Sequence, residues 1–379
     1  MKKKISIKIY TRYIMFDKTT IRDLSLAQKN VLVRADFNVP IQNGQVTSDF
    51  RLRAALPTLQ YLLSKQVNRV ILITHLGRPK GKVDLSCSLA PVAKALSKLL
   101  AHPVKFIPET IGQSVKAQID ATPSGSVILL ENLRFYPGEE QNDLEFARQI
   151  VHDTSADLYV QDGFAVIHRA HASTTQIPTL LPTVSGLLIE KEVQSLSKIL
   201  NSPNPPVTVI IGGAKISDKQ PLIDRFLTIA DHIIVVGKIA ADGYISNNPK
   251  VYVAEDFHED KEGNKLDIGN LSLSKILPTI KHSHTIIWNG TAGKTEEPGF
   301  DLSSKAIAEA IGQKNPEYNQ TVILGGDTSG YIEKLLEEQS TNSLDHISNL
   351  LEYSLISTGG GASLEFLLGL PLPGLDAIN

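Results

Sequence analysis

The chain has 379 residues, more than one ordinary hydrophobic core supports, so two domains are expected. Its 42% hydrophobic and 21% charged residues are an ordinary soluble balance, and its net charge of −2 gives no electrostatic ground for a nucleic-acid or membrane-surface partner. A lone cysteine, Cys87, excludes an internal disulfide and suits a reducing, cytoplasmic compartment.

The chain opens MKKKISIKIYTRYIM, basic like a signal peptide, but Lys8 and Arg12 interrupt any apolar core. No later segment approaches the roughly 20 apolar residues of a membrane span. From about residue 30, short apolar runs alternate with amphipathic stretches. VLVRADFN (31–38), VILITHLGRP (70–79), SVILLENLRF (126–135) and DLYVQDGF (157–164) read as strands. Their near-continuous apolar character suits a parallel sheet covered on both faces. SLAPVAKALSKLL (88–100) and DLEFARQIV (143–151) carry helical spacing. This is a βαβ rhythm, and it predicts an α/β fold. GLLIEKEVQSLSKIL (186–200) is predicted as a helix. It is followed by SPNPPV (202–207), whose three prolines fit neither a helix interior nor a central strand and mark the domain boundary. The rhythm then resumes in VTVIIGGAK (207–215), HIIVVGK (232–238), HTIIWNG (284–290), TVILGGD (321–327) and SLISTGGG (354–361).

In open α/β sheets, ligands bind beyond the carboxyl ends of the strands, so the residues just past each strand are informative. In the first half they are Asp36 and Asn38, His75 and Arg78, Asn132 and Arg134, then His168, Arg169 and His171 after Asp162, with Arg51 downstream of the first strand. Any one Arg or His reads more simply as a solvated charge or a satisfied core group. Repetition at four strand ends predicts a pocket for a small anionic substrate, because guanidinium forks match phosphate and carboxylate oxygens.

In the second half the strand ends carry Gly212 and Gly213, Gly237, Gly290, Gly325 and Gly326, and Gly359 to Gly361. Glycine permits close backbone approach to a ligand, and a helix starting there offers free N–H groups to phosphate. No GxGxxG comes after a strand, which weighs against a nicotinamide-dependent oxidoreductase. Gly293-Lys294-Thr295 ends like a P-loop, but Trp288 stands where its first glycine is needed. If a helix begins after Gly213, Lys215 and Lys219 share one face, and an anion would relieve their repulsion. Asp327 reads equally as a Mg²⁺ carboxylate or as a turn and N-cap residue.

VLVRADFNVP, HLGRP, ENLRF, HRAHAS, GGAKISDK, LDIG, WNG, GGDT and STGGGASLEFL run in order from about Ile21 to Ile378, and together they resemble phosphoglycerate kinase. The resemblance implies two Rossmann-like α/β domains with mostly parallel sheets, facing across a cleft and joined by an interdomain helix whose linkers permit closure. Residues 1–185 would bind phosphoglycerate, 186–202 would be the helix and linker, and 203–368 would bind nucleotide. Residues 369–379 would return to the N-terminal domain. Met15 to Ile21 resembles an ordinary start for the family, which makes 1–14 an extension.

By the same resemblance, Asp36 and Asn38 contact the glycerate, and His75, Arg78, Arg134 and Arg169 hold the phosphate that is not transferred. Arg51 faces the carboxyl or acyl-phosphate end. Lys215 follows the phosphoryl group, Lys219 binds nucleotide phosphate, and Gly213, Ala214, Gly237 and Gly326 border the nucleotide. Asp327 carries Mg²⁺, Thr328 contacts phosphate, and Asn289 and Glu296 lie near the phosphates and ribose. The helix after Gly359 aims Gly360 and Gly361 at the transferred group. The implied enzyme is a monomer with ATP or ADP as co-substrate and Mg²⁺ as cofactor. Its partners are small molecules, with no nucleic acid and no membrane.

The nucleotide half departs from the family pattern. Thr291-Ala292-Gly293 replaces the usual continuation of WNGP, Leu324 replaces the first glycine of GGGDT, and Lys238 comes after Gly237 in place of a small or apolar residue. These positions raise an alternative, a catalytically weakened binding protein with altered nucleotide specificity.

Overall fold

The computed structural model describes residues 16–342 and 351–379. The expected extension, 1–14, lies outside them. The described residues form two compact units, Phe16–Val193 with Pro371–Asn379, and Gln194–Leu370.

The first unit is built on the strands β1 (Asn30–Arg34), β2 (Arg69–Ile73), β3 (Val104–Ile107), β4 (Ser126–Leu130), β5 (Leu158–Gln161) and β6 (Thr183–Ser185). They form one sheet in the order β3-β4-β2-β1-β5-β6, with every pairing parallel. Successive side chains point to opposite faces, and both faces are covered. Val31, Val33, Val70, Leu72, Val127 and Leu129 meet Leu52, Leu59 and Leu62 of the helix Phe50–Ser64 and Val92 and Leu96 of Ala90–Leu100. On the other face Leu32, Ile71, Ile73, Ile128, Leu130 and Tyr159 meet Val115 and Ile119 of Gln113–Asp120 and Phe146 and Ile150 of Leu144–Thr154. Two covered faces explain why the strands read as unbroken apolar runs.

All four predicted strands of this unit form, but each stops short of its motif, at Arg34, Ile73, Leu130 and Gln161. Asp36, His75, Asn132 and Asp162 therefore lie in the turns beyond the carboxyl ends. Consecutive strands run from β1 to one side of the sheet and then jump to β5 on the other. The crevice beyond this switch, between β1 and β5, is where such sheets bind ligands.

The chain's C-terminus belongs to this unit. Gly374 N–H donates to the Ile167 carbonyl at 2.8 Å, Thr19 N–H to the Asn379 carbonyl at 2.8 Å, and Lys18 Nζ to the Ile378 carbonyl at 2.7 Å.

The helix Leu187–Asn201 contains the divide between the units, which falls after Val193. Its start is tied to the first sheet: Leu187 N–H donates to Thr58 Oγ1 at 2.9 Å and Leu188 N–H to Asp162 Oδ1 at 3.0 Å. Just beyond its end, the Ser202 carbonyl accepts from Gln320 Nε2 at 3.1 Å, and Asn204 N–H donates to Thr285 Oγ1 at 2.9 Å.

The second unit carries β7 (Val207–Ile211), β8 (His232–Val235), β9 (Val251–Val253), β10 (Thr285–Asn289), β11 (Gln320–Leu324) and β12 (Leu355–Ile356). Their order is β9-β8-β7-β10-β11-β12, again with parallel pairings throughout. This is the Rossmann strand order, with the switch point between β7 and β10. β7, β10 and β11 are buried along their whole length, and Trp288 is fully enclosed. SLISTGGG supplies only the two-residue strand β12, and just past it Ser357 Oγ accepts from Gly359 N–H at 3.0 Å. Among the described residues no helix is long and apolar enough to cross a membrane.

Candidate active site

In the first unit the residues beyond β1, β2, β4 and β5 gather at the sheet's carboxyl edge. Asp36 is buried and accepts from Arg51 Nη1, on the first turn of Phe50–Ser64, through Oδ2. Its other oxygen accepts from Asn38 N–H at 3.2 Å. Asn38 Oδ1 in turn takes the N–H of Gly77 at 2.9 Å, joining the loop after β1 to the loop after β2. Asn132 acts as a bracket: its Nδ2 donates to the carbonyls of Leu76 (2.7 Å) and Cys87 (2.9 Å), and its Oδ1 accepts from Arg134 N–H at 3.0 Å. Arg134 is buried, gives Nη1 to the Gly77 carbonyl at 2.8 Å, and has Nε 3.0 Å from Glu140. Arg169 Nε donates to His168 Nε2 at 3.2 Å. Arg78 is exposed on the loop after β2.

The charges converge. Burial first, then the positive charges of Arg34, Arg134, Arg169 and Arg51, hold His75 well below the ordinary histidine range. Burial first, then Arg134, Arg34, Arg169 and His168, push His171 down to about 4. Burial and Arg169 lower His168. Burial lowers even the Arg134 guanidinium; Glu140 opposes this, while Arg169 and Arg34 add to it. An anion entering here would meet positive charge from several directions in a poorly solvated place.

Sequence reasoning missed Arg34. It is 1% exposed and is the last residue of β1. Its Nε donates to Ser173 Oγ at 2.8 Å and its Nη1 to the Ala35 carbonyl at 2.5 Å. Its counter-ion, Glu139, is fully buried 3.8 Å away and accepts from Ser173 N–H and Oγ at 3.0 and 2.6 Å. The available signal was an arginine inside an apolar strand, where a charge needs a reason.

In the second unit an open depression of about 420 Å³ lies beyond β7, β10 and β11. Of the residues expected at the nucleotide, it gathers Gly213, Ala214, Lys215, Lys219, Asn289, Gly326, Asp327, Thr328, Gly360 and Gly361. Lys215 is the extended N-cap position of the helix Ile216–Phe226, so Lys219 falls in its first turn, and both lysines line the depression. Lys219 donates to Asn289 Oδ1. Burial lowers its pKa, against the opposing pull of Asp218 and Asp327. Asn289 Nδ2 is buried with no hydrogen-bond partner in the structure. Thr328, also buried, takes the N–H of Gly290 on Oγ1 at 2.8 Å.

The loops after β7 and β10 meet backbone to backbone. A Cβ on Gly290 would lie 2.2 Å from the Gly212 carbonyl carbon, and one on Gly212 would lie 2.3 Å from the Thr291 carbonyl oxygen. Only glycine permits that approach. Gly237 opens the short helix Gly237–Ala241 against the same Thr291 carbonyl. Glu296 does not join this group: it is exposed on a turn and lies outside the depression.

Among the described residues no group of three or more His, Cys, Asp or Glu side chains could cage a metal. Asp327 is an exposed carboxylate in the first turn of Gly326–Asn342, and Asp218 is the other acid lining the depression. That donor set fits Mg²⁺ held chiefly by phosphate oxygens and water.

The family model described as phosphoglycerate kinase matches residues 21–248 and 242–370. A phosphoglycerate kinase of Moorella thermoacetica is 39% identical over 407 aligned positions, covering 96% of this chain and 99% of that protein. One from Fervidobacterium nodosum is 37% identical, with coverage of 96% and 98%. Among solved structures, the phosphoglycerate kinase of Pyrococcus horikoshii superposes with a TM-score of 0.81 at 26% identity, covering 95% of this chain and 98% of that one. The enzyme from Coxiella burnetii superposes with a TM-score of 0.74 at 31% identity and the same coverage.

Proposed function

The chain belongs to the phosphoglycerate kinase family, and from that premise we propose how its own residues carry out phosphoryl transfer between 1,3-bisphosphoglycerate and ADP, giving 3-phosphoglycerate and ATP. The acceptor in the reverse direction is the carboxylate of 3-phosphoglycerate. The family supports the kinase function, and nothing favours a weakened binding protein.

The observation that carries the reading is the convergence of Arg34, Arg51, Arg134 and Arg169 on His75. A small substrate with a phosphate at one end and a carboxylate or acyl phosphate at the other matches such a field. Arg134, Arg169, His75 and the exposed Arg78 hold the phosphate that stays. Asp36 and Asn38 orient the glycerate hydroxyl and backbone. Arg51, pre-aimed by Asp36, faces the reacting end.

Phosphoryl transfer asks the protein for in-line positioning and for charge neutralisation, with little covalent work. Lys219 and Thr328 hold nucleotide phosphates. Lys215, an exposed cation at the mouth of the depression, follows the phosphoryl group as its charge spreads over the equatorial oxygens. Asp327 would hold Mg²⁺, which supplies charge neutralisation at the nucleotide phosphates when bound. No protein nucleophile takes part: ADP attacks the acyl phosphate, or the carboxylate attacks ATP. Excluding water protects the acyl phosphate from hydrolysis.

The test is a coupled assay of ATP formation from 1,3-bisphosphoglycerate and MgADP, with GDP in parallel. Turnover with ADP supports the reading. Retained 3-phosphoglycerate binding without turnover at high enzyme concentration refutes it.

A further inference from the structure

His75 is 3% exposed and stands one residue beyond Thr74, which comes directly after β2. Two charged groups approach its Nδ1 side. Arg34 Nη2 lies at hydrogen-bond distance, 3.3 Å. Asp36 Oδ1 lies at 3.8 Å, beyond hydrogen-bond reach, and already accepts from Asn38 N–H, while Asp36 Oδ2 is taken by Arg51. Arg134 and Arg169 act at longer range through their charge.

Guanidinium has donors only. A hydrogen bond between Arg34 Nη2 and Nδ1 therefore requires a lone pair on Nδ1, which leaves the single ring proton on Nε2. Arg34 cannot easily turn away, since Nε and Nη1 are fixed on Ser173 and Ala35 and its charge is set against buried Glu139. We infer that Arg34 is a positioning residue that fixes His75 as the neutral Nε2–H tautomer. His75 then gives a neutral hydrogen bond to a substrate oxygen while the arginines carry the charge. This deepens the phosphoglycerate reading above and rests on it. Burial and the surrounding guanidinium charges work the same way, since each disfavours an imidazolium there. The bond Arg34 makes to Nδ1 selects which ring nitrogen donates.

The test uses the full chain with ¹⁵N-labelled histidine. Two-bond ¹H–¹⁵N spectra between about pH 5.5 and 8 identify the protonation state, and His75 is assigned by its absence in His75→Gln. A neutral Nε2–H pattern throughout supports the inference. An imidazolium in that range, or the Nδ1–H tautomer, overturns it. A kinetic arm accompanies the spectra. His75→Ala is expected to raise KM for 3-phosphoglycerate about tenfold, the loss of one hydrogen bond to a charged group. His75→Gln should stay within about threefold of the parent, because its amide offers an oxygen to Arg34 and an N–H to the substrate. Gln as weak as Ala overturns the donor role. In Arg34→Met the His75 signal should lose its single tautomer or titrate, which a merely structural role would not cause. Should that variant fail to fold, the parent spectra decide. Those spectra need no substrate, so a failure of the phosphoglycerate reading in the coupled assay remains distinguishable from a failure of this one.

Discussion

Replacing Asp162 by Asn tests how the first unit grips the helix Leu187–Asn201. Asp162 is 1% exposed and sits one residue beyond β5, with its N–H on the Arg34 carbonyl at 2.9 Å. Its carboxyl accepts from Leu188 N–H at 3.0 Å, and a Cβ on Gly186 would lie 2.0 Å from its Oδ1, so the chain descends directly onto it. Burial pushes this carboxyl from 3.8 up to about 8, against the opposing hydrogen bonds from Thr58, Leu188 and Ile189. An acid with a folded pKa above its unfolded one keeps its proton longer in the folded state. Stability is then highest at low pH and falls as pH rises between the two values. Each pH unit in that window costs about 1.4 kcal/mol, on the order of 6 kcal/mol in all. Asn keeps an oxygen for Leu188 N–H and has no charge to desolvate. Asp162→Asn is therefore expected to be more stable than the parent at pH 8.5 by roughly 2–5 kcal/mol, the lower figure allowing for the favourable helix N-terminus. At pH 4 the two should be nearly equal. Urea unfolding across pH 4–9 reads both. Parallel pH profiles, or a variant weaker than the parent at pH 8.5, would refute the reasoning and make Asp162 a charged cap.

Lys215→Ala should lower kcat by roughly a hundredfold or more while changing KM for either substrate little, since an interaction made only in the transition state is lost; steady-state kinetics with an unchanged kcat removes Lys215 from its role. Gly290→Ala drives a Cβ to 2.2 Å from the Gly212 carbonyl carbon, at a backbone φ of +97°. It is expected to destabilise the second unit by about 2–4 kcal/mol and weaken ADP binding, read by thermal unfolding and calorimetric titration. Asp327→Asn should raise the Mg²⁺ concentration for half-maximal activity by about tenfold. Chelation of Mg²⁺ should abolish turnover in the parent and be reversed by adding the ion back.

The fold class was legible in the residues alone, as was the clustering of charged and glycine residues just past the strands. Continuous apolar runs of Val, Ile and Leu are what a strand covered on both faces requires, so the parallel sheets were legible before any contact was known. Chemistry placed just after each run was legible for the same reason, because a strand's carboxyl end fixes where the next residues emerge. Lys215 and Lys219 both line the depression, although Lys215 is the extended N-cap residue and stands outside the helix that carries Lys219.

Local pattern could not supply partners distant along the chain. Arg34 looks like an ordinary strand residue until Ser173 and Glu139, more than a hundred positions away, close around it. The three prolines of 202–207 marked a break, yet the divide between units falls inside the preceding helix. Thr58 and Asp162 claim the first N–H groups of that helix, and no window of sequence shows this. Glu296 kept its spacing from Asn289, but it sits exposed on a turn outside the lining of the depression. Spacing fixes position along the chain; only the packed fold decides which side chains share a charge, a proton or a ligand.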